Sequence, residues 1–557
     1  KVGLQDDFFE LGGDSIKATK IINRLSVQFK IRLPLSLLFK NSRLKSLVSE
    51  IETIQKTSND VDQIKKAEIK PYYAASPAQN RIYITQEIDL KSTAYNIPVV
   101  LDLHGSLDKQ SVLNACTQLM QRHEALRTSF EVKDGKTVQI INEELSIPVE
   151  FVEFSQEHDA NCISIDDEIK SVMQDFVRPF QLSHAPLIRI KVICTNSERS
   201  FLLLDMHHII SDGASLGILL NDFMQLYNGN MLSPLNISYK DYSEWIANKN
   251  VQPQIQYWKS VFLDSVPLLD MPLDYARPQI RSYAGGQVKL LLTKVEKETI
   301  SAICKNTGIT EYMLMLAVFA IVLGKYSRQE DIVIGTTASG RLHKDVEQLV
   351  GMFVNTLAIR SRPEKEKDIG TFLTEIKQIT LSAFENQDLP FDNLVSALNM
   401  NRSLSRNPLF DVMLVMNNVD YDITLPEGII ELNSMDGNVK TAQFDMTLYV
   451  IEKDKGFTLT LEYCKDIFKH ETAERFLQHF RNALFTVINN QSRKISELEI
   501  FDQDEKNTVL IDFNNSDATY LYEKSIIDMF EAQVEKTPNN IAVVYKDKAL
   551  TYLQLNE

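Results

Sequence analysis

Two periodicities alternate along this chain. Apolar runs of strand length occur at residues 99–103, 188–193, 201–206, 332–334, 410–416, 444–451 and 457–463. Between them the apolar positions open out to helical spacing. Ile16, Ile21, Ile22 and Leu25 form one such set, Val112, Leu113, Ala115, Leu119 and Met120 another, and Leu216, Leu220 and Phe223 a third. Helices are also expected over 311–326, 369–386 and 468–488. Strands and helices intermix, with many pairings between strands distant in sequence, which predicts the α+β class. The pattern divides into a small helical unit (1–56), a polar linker ending at Pro71 (57–70), a long body (71–500) and a last segment (501–557). A chain of 557 residues exceeds what one core supports, so three to five folding units are expected.

Charge and composition then narrow the function. The net charge of −16 leaves no basic surface to neutralise phosphates, which argues against nucleic-acid binding. Residues 313–323, the longest apolar run, are too few to span a bilayer and read as a core helix. The chain opens directly into globular sequence, without a secretory leader pattern. Its five cysteines are scattered with no CxxC pair. That argues against a metal site or a disulfide framework and fits a reducing, cytoplasmic setting. Neither standard phosphate-binding glycine loop occurs.

Two stretches carry candidate chemistry. Residues 206–213 place His207 and His208 at the end of an apolar strand, followed by the turn Ser211-Asp212-Gly213. Alternation along a strand sends only one of the two histidines to a given face. It cannot choose between them, because both faces of 201–206 are apolar. Residues 6–18 run from a loop with Gly12 and Gly13 into a helix, and Asp14 and Ser15 fall at its start. Ser15 there is either a helix cap or a site for an anion, which the free N–H groups and the dipole favour.

The stretch 6–18, with Leu33, Leu35, Leu37, Leu38 and Phe39 and then Leu44, Leu47, Val48 and Ile51, resembles a peptidyl carrier protein. The resemblance implies 4′-phosphopantetheine on Ser15, with Asp14 beside it, attached by a phosphopantetheinyl transferase. The first helix expected of a carrier is missing. Residues 76–83, 122–130, 206–213, 239–245, 350–356, 386–392 and 402–410 resemble, in order and spacing, the core motifs of nonribosomal peptide synthetase condensation domains. This implies two lobes like chloramphenicol acetyltransferase (71–250 and 251–500), set in a V with a tunnel between them. It implies catalysis by His208, with His207 structural. Asp212 holds its loop, partnered by Arg341. Gly213 lets backbone approach the oxyanion, and Asn355 either lines the tunnel or is structural. Gln79 and Arg127 read as scaffold, 239–245 and 408–410 as packing. Residues 501–557 resemble the opening of an adenylation domain without its ATP site.

The expected reaction is amide formation between a donor thioester and the α-amine of a carrier-bound acceptor. An α-amine has a pKa of about 7.7–8, so much of the task is alignment and exclusion of water. A neutral imidazole suits the remaining proton transfer, and His208 acts as base, positioning group or both. The expected partners are upstream and downstream carrier and adenylation domains and carrier-bound substrates. With no epimerisation domain between carrier and condensation segments, the donor is expected to be L-configured. Asp14-Ser15-Ile16 also resembles carriers that precede epimerisation domains, so that reading stays open, as does a non-catalytic docking domain. The intact double histidine argues against the docking reading.

Overall fold

A computed structural model describes the chain except residues 1, 14, 30, 32, 56–63, 105–106, 155–164, 196–198, 342, 401–402, 418–440, 454–455 and 517–523. It divides into two compact units, Lys1–Ile500 and Phe501–Glu557. In the first, helices Ser15–Phe29, Ser36–Lys40 and Leu44–Gln55 bury Ala18, Ile22, Leu38, Leu47 and Ile51. Asp14 lies outside the described residues. Residues 64–70, expected as polar linker, are held against the helix Tyr239–Ala247. Ala67 N–H donates to Asp241 (2.8 Å), Lys70 pairs with Glu244 (3.1 Å), and Ile64 is buried.

The N-terminal lobe contains strands β1 (Tyr73–Ala74), β2 (Asn96–His104), β3 (Thr128–Lys133), β4 (Lys136–Ile141), β5 (Val149–Phe154), β6 (Ile188–Thr195) and β7 (Arg199–His207). They form a four-stranded sheet, β2-β7-β6-β5, and a three-stranded one, β1-β4-β3. The interior position of β7 explains its mainly apolar run, interrupted at Asp205, which is buried and paired with Arg189 (3.3 Å). Leu202, Leu204 and Met206 join the main core of this lobe, packed with helices Lys109–Arg122 and Gly213–Tyr227. Phe201 and Leu203 point the other way, into a small second cluster with Val100, Ile169, Phe176 and Ile193. With both faces covered, no polar face remains to mark orientation.

The C-terminal lobe is built on β8 (Gly285–Thr293), β9 (Ile332–Ala338), β10 (Asn355–Ser361), β11 (Val412–Asn417), β12 (Met446–Lys453) and β13 (Gly456–Cys464), ordered β10-β9-β11-β12-β13-β8. The helix Glu311–Ser327 is apolar all round from Met313 to Leu323 and sits in the core, each of these residues at most 1% exposed. Among the described residues no single helix is long and apolar enough to cross a membrane. The core passes from one lobe to the other between Tyr242, which packs in the N-terminal lobe, and Trp258, which packs in the C-terminal one. A return crossing was not expected from sequence. Val346, Leu349, Val350, Met352 and Phe353, from between β9 and β10, pack into the N-terminal core. The second unit holds helix Ile526–Lys536, the hairpin Ile541–Tyr545 with Lys548–Thr551, and helix Tyr552–Asn556.

Candidate active site

β7 ends at His207, and a short 3₁₀ turn, His208–Ile210, follows. His207 is fully buried. Its Nδ1 accepts the Ile209 N–H (3.2 Å), so Nε2 carries the proton and donates to Gln86 Oε1 (3.3 Å). Gln86 is fixed in turn by its own donations to the Asp89 and Ser92 carbonyls. Burial, with His208 as neighbour, pushes the His207 imidazole down to about 3.

His208 turns the other way. Its main-chain N–H donates to the Tyr95 carbonyl (2.8 Å), and its carbonyl accepts the Ser211 N–H (3.3 Å). The half-buried side chain lines a cavity of about 1430 Å³. Burial lowers the His208 pKa, the Asp212 carboxylate pulls it back up, and the Arg81 cation adds to the lowering. The ring is therefore neutral near pH 7.

Asp212 caps the helix Gly213–Tyr227 and is fully buried. Oδ1 accepts from Ser215 N–H (2.8 Å), Ser215 Oγ (2.8 Å) and Arg341 Nη2 (3.0 Å), and Oδ2 from Phe353 N–H (3.1 Å). Arg341 Nη1 donates to the Val346 and Leu349 carbonyls (2.7 Å each) and Nη2 also to Ser215 Oγ (2.8 Å), and the guanidinium lies 4.1 Å over the Phe353 ring. Ser215 Oγ completes the joint by accepting the Gly351 N–H (3.0 Å). Sequence reasoning missed Ser215, although Asp212 at a helix start is a capping signal. Gly340 adopts φ +64°, and a Cβ there would stand 1.9 Å from the Phe353 carbonyl oxygen, so only glycine fits before Arg341.

Gly213 differs. Nothing lies within 4 Å of the point where its Cβ would be, and that space belongs to the cavity. Asn355 is absent from this cavity. Its Nδ2 donates to the Gln387 and Leu389 carbonyls (2.8 and 2.7 Å) and its Oδ1 accepts the Thr356 and Phe391 N–H groups (2.9 and 3.2 Å). It pins the 387–391 loop to the start of β10. Gln79 is a buried brace, donating to the Ile209 carbonyl (3.2 Å), and Arg127 bonds the Asn142 carbonyl (2.9 Å). Tyr239 and Phe353 meet edge to face at 4.9 Å, and Phe410 packs on Phe391 and Phe444. Arg402 lies outside the described residues.

The same cavity reaches the helical unit. Ser15 is the first residue of its helix, and Gly12, Gly13, Lys17 and Arg24 line the cavity that His208 lines. Arg24 pairs with Glu347 (2.6 Å), Glu10 with Lys305 (3.5 Å), and the Ser36 N–H donates to Glu385 (3.0 Å). Side chains of β11, β12 and β13 form a further wall: Met413, Val415, Thr447, Tyr449 and Glu462. Strand alternation marks such residues only once register is known, so sequence alone left them unassigned. Among the described residues no cluster of three His, Cys, Asp or Glu side chains could hold a metal ion.

Residues 69–510 match the condensation domain family model, and residues 1–51 match that of the phosphopantetheine attachment site, which carries covalent 4′-phosphopantetheine. Over its whole length the chain is 39% identical to bacitracin synthase 3 of Bacillus licheniformis and 40% identical to gramicidin S synthase 2 of Brevibacillus brevis. It spans only 9% and 12% of those relatives. Among solved structures it resembles a four-domain nonribosomal peptide synthetase, holo-AB3403 (TM-score 0.74, 23% identity, 88% of this chain and 38% of that one). It also resembles the X-domain from teicoplanin biosynthesis (TM-score 0.69, 22% identity, 79% of this chain and 100% of that one). The chain belongs to the condensation domain family and carries a phosphopantetheine attachment domain at its N-terminal end.

Proposed function

We propose that His208 promotes amide bond formation between a donor acyl group carried at Ser15, or at an equivalent carrier, and the α-amine of an aminoacyl group on another carrier. The observation that carries this reading is the single cavity lined both by the loop before Ser15 and by His208. Its size suits the arm, being above the roughly 300–1,000 Å³ of an ordinary small-molecule site. Gly12, Gly13 and Lys17 would flank the arm, which presents the acyl group as a thioester when bound.

His208, neutral and open on the cavity, orients the amine, takes up the proton it loses as the C–N bond forms, and returns that proton to the sulfur that leaves as a thiol when the C–S bond breaks. Asp212 has both carboxylate oxygens engaged, by Arg341, Ser215 and the Phe353 N–H, so it positions the turn and moves no proton. Negative charge developing on the substrate carbonyl oxygen faces the N-terminus of the helix Gly213–Tyr227, where Gly213 leaves room for it. Asn355 and His207 support this arrangement from outside the cavity.

The domain boundaries 1–56, 57–70, 71–250, 251–500 and 501–557 belong to this proposal, with the last as the opening of an adenylation domain. So do an L-configured donor, activation by a phosphopantetheinyl transferase, neighbouring carrier and adenylation domains as partners, and a cytoplasmic setting. The test loads Ser15 with an L- or D-aminoacyl arm in the parent synthetase and follows the acceptor carrier by mass spectrometry. A dipeptidyl adduct from the L donor alone is expected, and Ser15→Ala should abolish loading. No adduct from either donor, with both carriers verified as loaded, removes the condensation reading.

A further inference from the structure

The C-terminal lobe gives the cavity a wall with its own chemistry. β11, β12 and β13 send alternate side chains into it, Met413 and Val415, Thr447 and Tyr449, then Glu462, while Leu414, Leu448 and Leu461 enter the core. Thr447 stands directly across the ladder from Glu462, and Met413 directly across from Thr447 on the other side. One row of the sheet therefore presents a thioether, a hydroxyl and a carboxyl side by side.

Neither polar member has a side-chain partner among the described residues. Thr447 is 1% exposed, and its hydroxyl has no hydrogen-bond partner among the described residues. Glu462 makes no ion pair among the described residues. Burial pushes its carboxyl up to about 7, and a bond from the Gln443 main-chain N–H opposes this. Of the cations lining the cavity, Lys297 pairs with Glu452, Lys305 with Glu10, Arg24 with Glu347 and Arg341 with Asp212, Lys17 donates to the Gly12 carbonyl, and Lys377 makes no ion pair among the described residues; none of them acts on the Glu462 carboxyl. A carboxylate in such a wall is costly unless a counter-charge arrives.

Resting on the condensation reading above, we infer that Glu462 and Thr447 form a recognition subsite for a substrate side chain that ends in an ammonium group, of ornithine or lysine type. An ammonium has three donors and no acceptor. The Glu462 carboxylate and the Thr447 hydroxyl accept two of them, and the Tyr449 ring, one pair further along the strand, offers an aromatic face to the cation. Met413 and Val415 provide an apolar track for the aliphatic stem.

The test separates recognition from chemistry. Binding of the pantetheine amides of ornithine and norvaline, equal in carbon chain and different in the terminal ammonium, is measured calorimetrically on the full chain. The ornithine amide should bind at least ~10-fold more tightly, as a desolvated charge pair warrants. Glu462→Gln should reduce that preference to below ~2-fold while leaving the norvaline amide unchanged, which also certifies the fold, and Thr447→Val should lower it by a smaller factor. Equal affinities in the wild type, or a preference that survives Glu462→Gln, overturn the subsite. Both amino acids are then loaded on the carriers. Dipeptide formed equally well from each overturns the subsite and leaves condensation standing. A binding preference with no dipeptide overturns condensation and leaves the subsite standing.

Discussion

At His207 the ring accepts the Ile209 N–H on one side and donates to Gln86 on the other, so only the neutral form fits. The folded pKa of about 3 lies below the ordinary 6.5 of the unfolded chain. The unfolded state therefore binds more protons between these values, and the stability His207 contributes is present above 6.5 and lost as pH falls towards 3. His207→Gln should flatten the fall of Tm between pH 6.5 and 4.5 relative to wild type, at a cost of about 1–3 kcal/mol at neutral pH. Equal slopes in the two proteins would refute the assignment. At His208 the same burial acts on a ring that opens to the cavity, so the pH dependence appears in rate instead. The acidic limb of single-turnover dipeptide formation should have its midpoint below 6.5, and His208→Ala should lose that limb. Adjacent histidines thus differ because a strand ends and a 3₁₀ turn begins between them. That change of geometry lies beyond a reading by alternation alone.

At the scale of elements, the helix Gly213–Tyr227 is tied at its first turn to the crossing segment that follows Arg341. Asp212 and Arg341 are both buried, and each leaves the other uncompensated if removed. Arg341→Ala should cost about 3–5 kcal/mol, measured by denaturant unfolding, whereas a loss under about 1 kcal/mol would show the joint to be dispensable. Gly213→Ala separates folding from function at the same helix. With nothing within 4 Å of the new methyl, stability should hold or rise by about 0.5–1 kcal/mol, while dipeptide formation falls because the methyl enters the cavity. Elements were the most legible scale in the sequence. The apolar runs at 201–206, 444–451 and 457–463 correspond to β7, β12 and β13, and 369–386 to the helix Ile369–Glu385. The crossing at 346–353 was not legible, because its apolar residues follow no period and acquire a partner only when two distant lobes meet.

Across the first unit, the carrier, the two lobes and the cavity form one continuous path. The Asp212–Arg341 pair is a long-range contact that a resemblance could suggest but periodicity could not. The row Met413, Thr447 and Glu462 depends on strand register, which the sequence does not display. The contacts holding the carrier are modest. Arg24 is largely exposed, and its pair with Glu347 should contribute about 0.2–1 kcal/mol. Arg24→Glu should slow transfer from Ser15 by a few-fold, and adding Glu347→Arg should restore it. No rescue by the double variant would mean that the carrier delivers its group from another face. The most direct measurement of the central claim is single-turnover dipeptide formation by the His208→Ala synthetase with both carriers verified as loaded. The account predicts a rate lowered by about 10²–10⁴-fold with loading unchanged. A rate within about two-fold of wild type would contradict it and leave alignment in the cavity, without proton transfer at His208, as the whole of the catalysis.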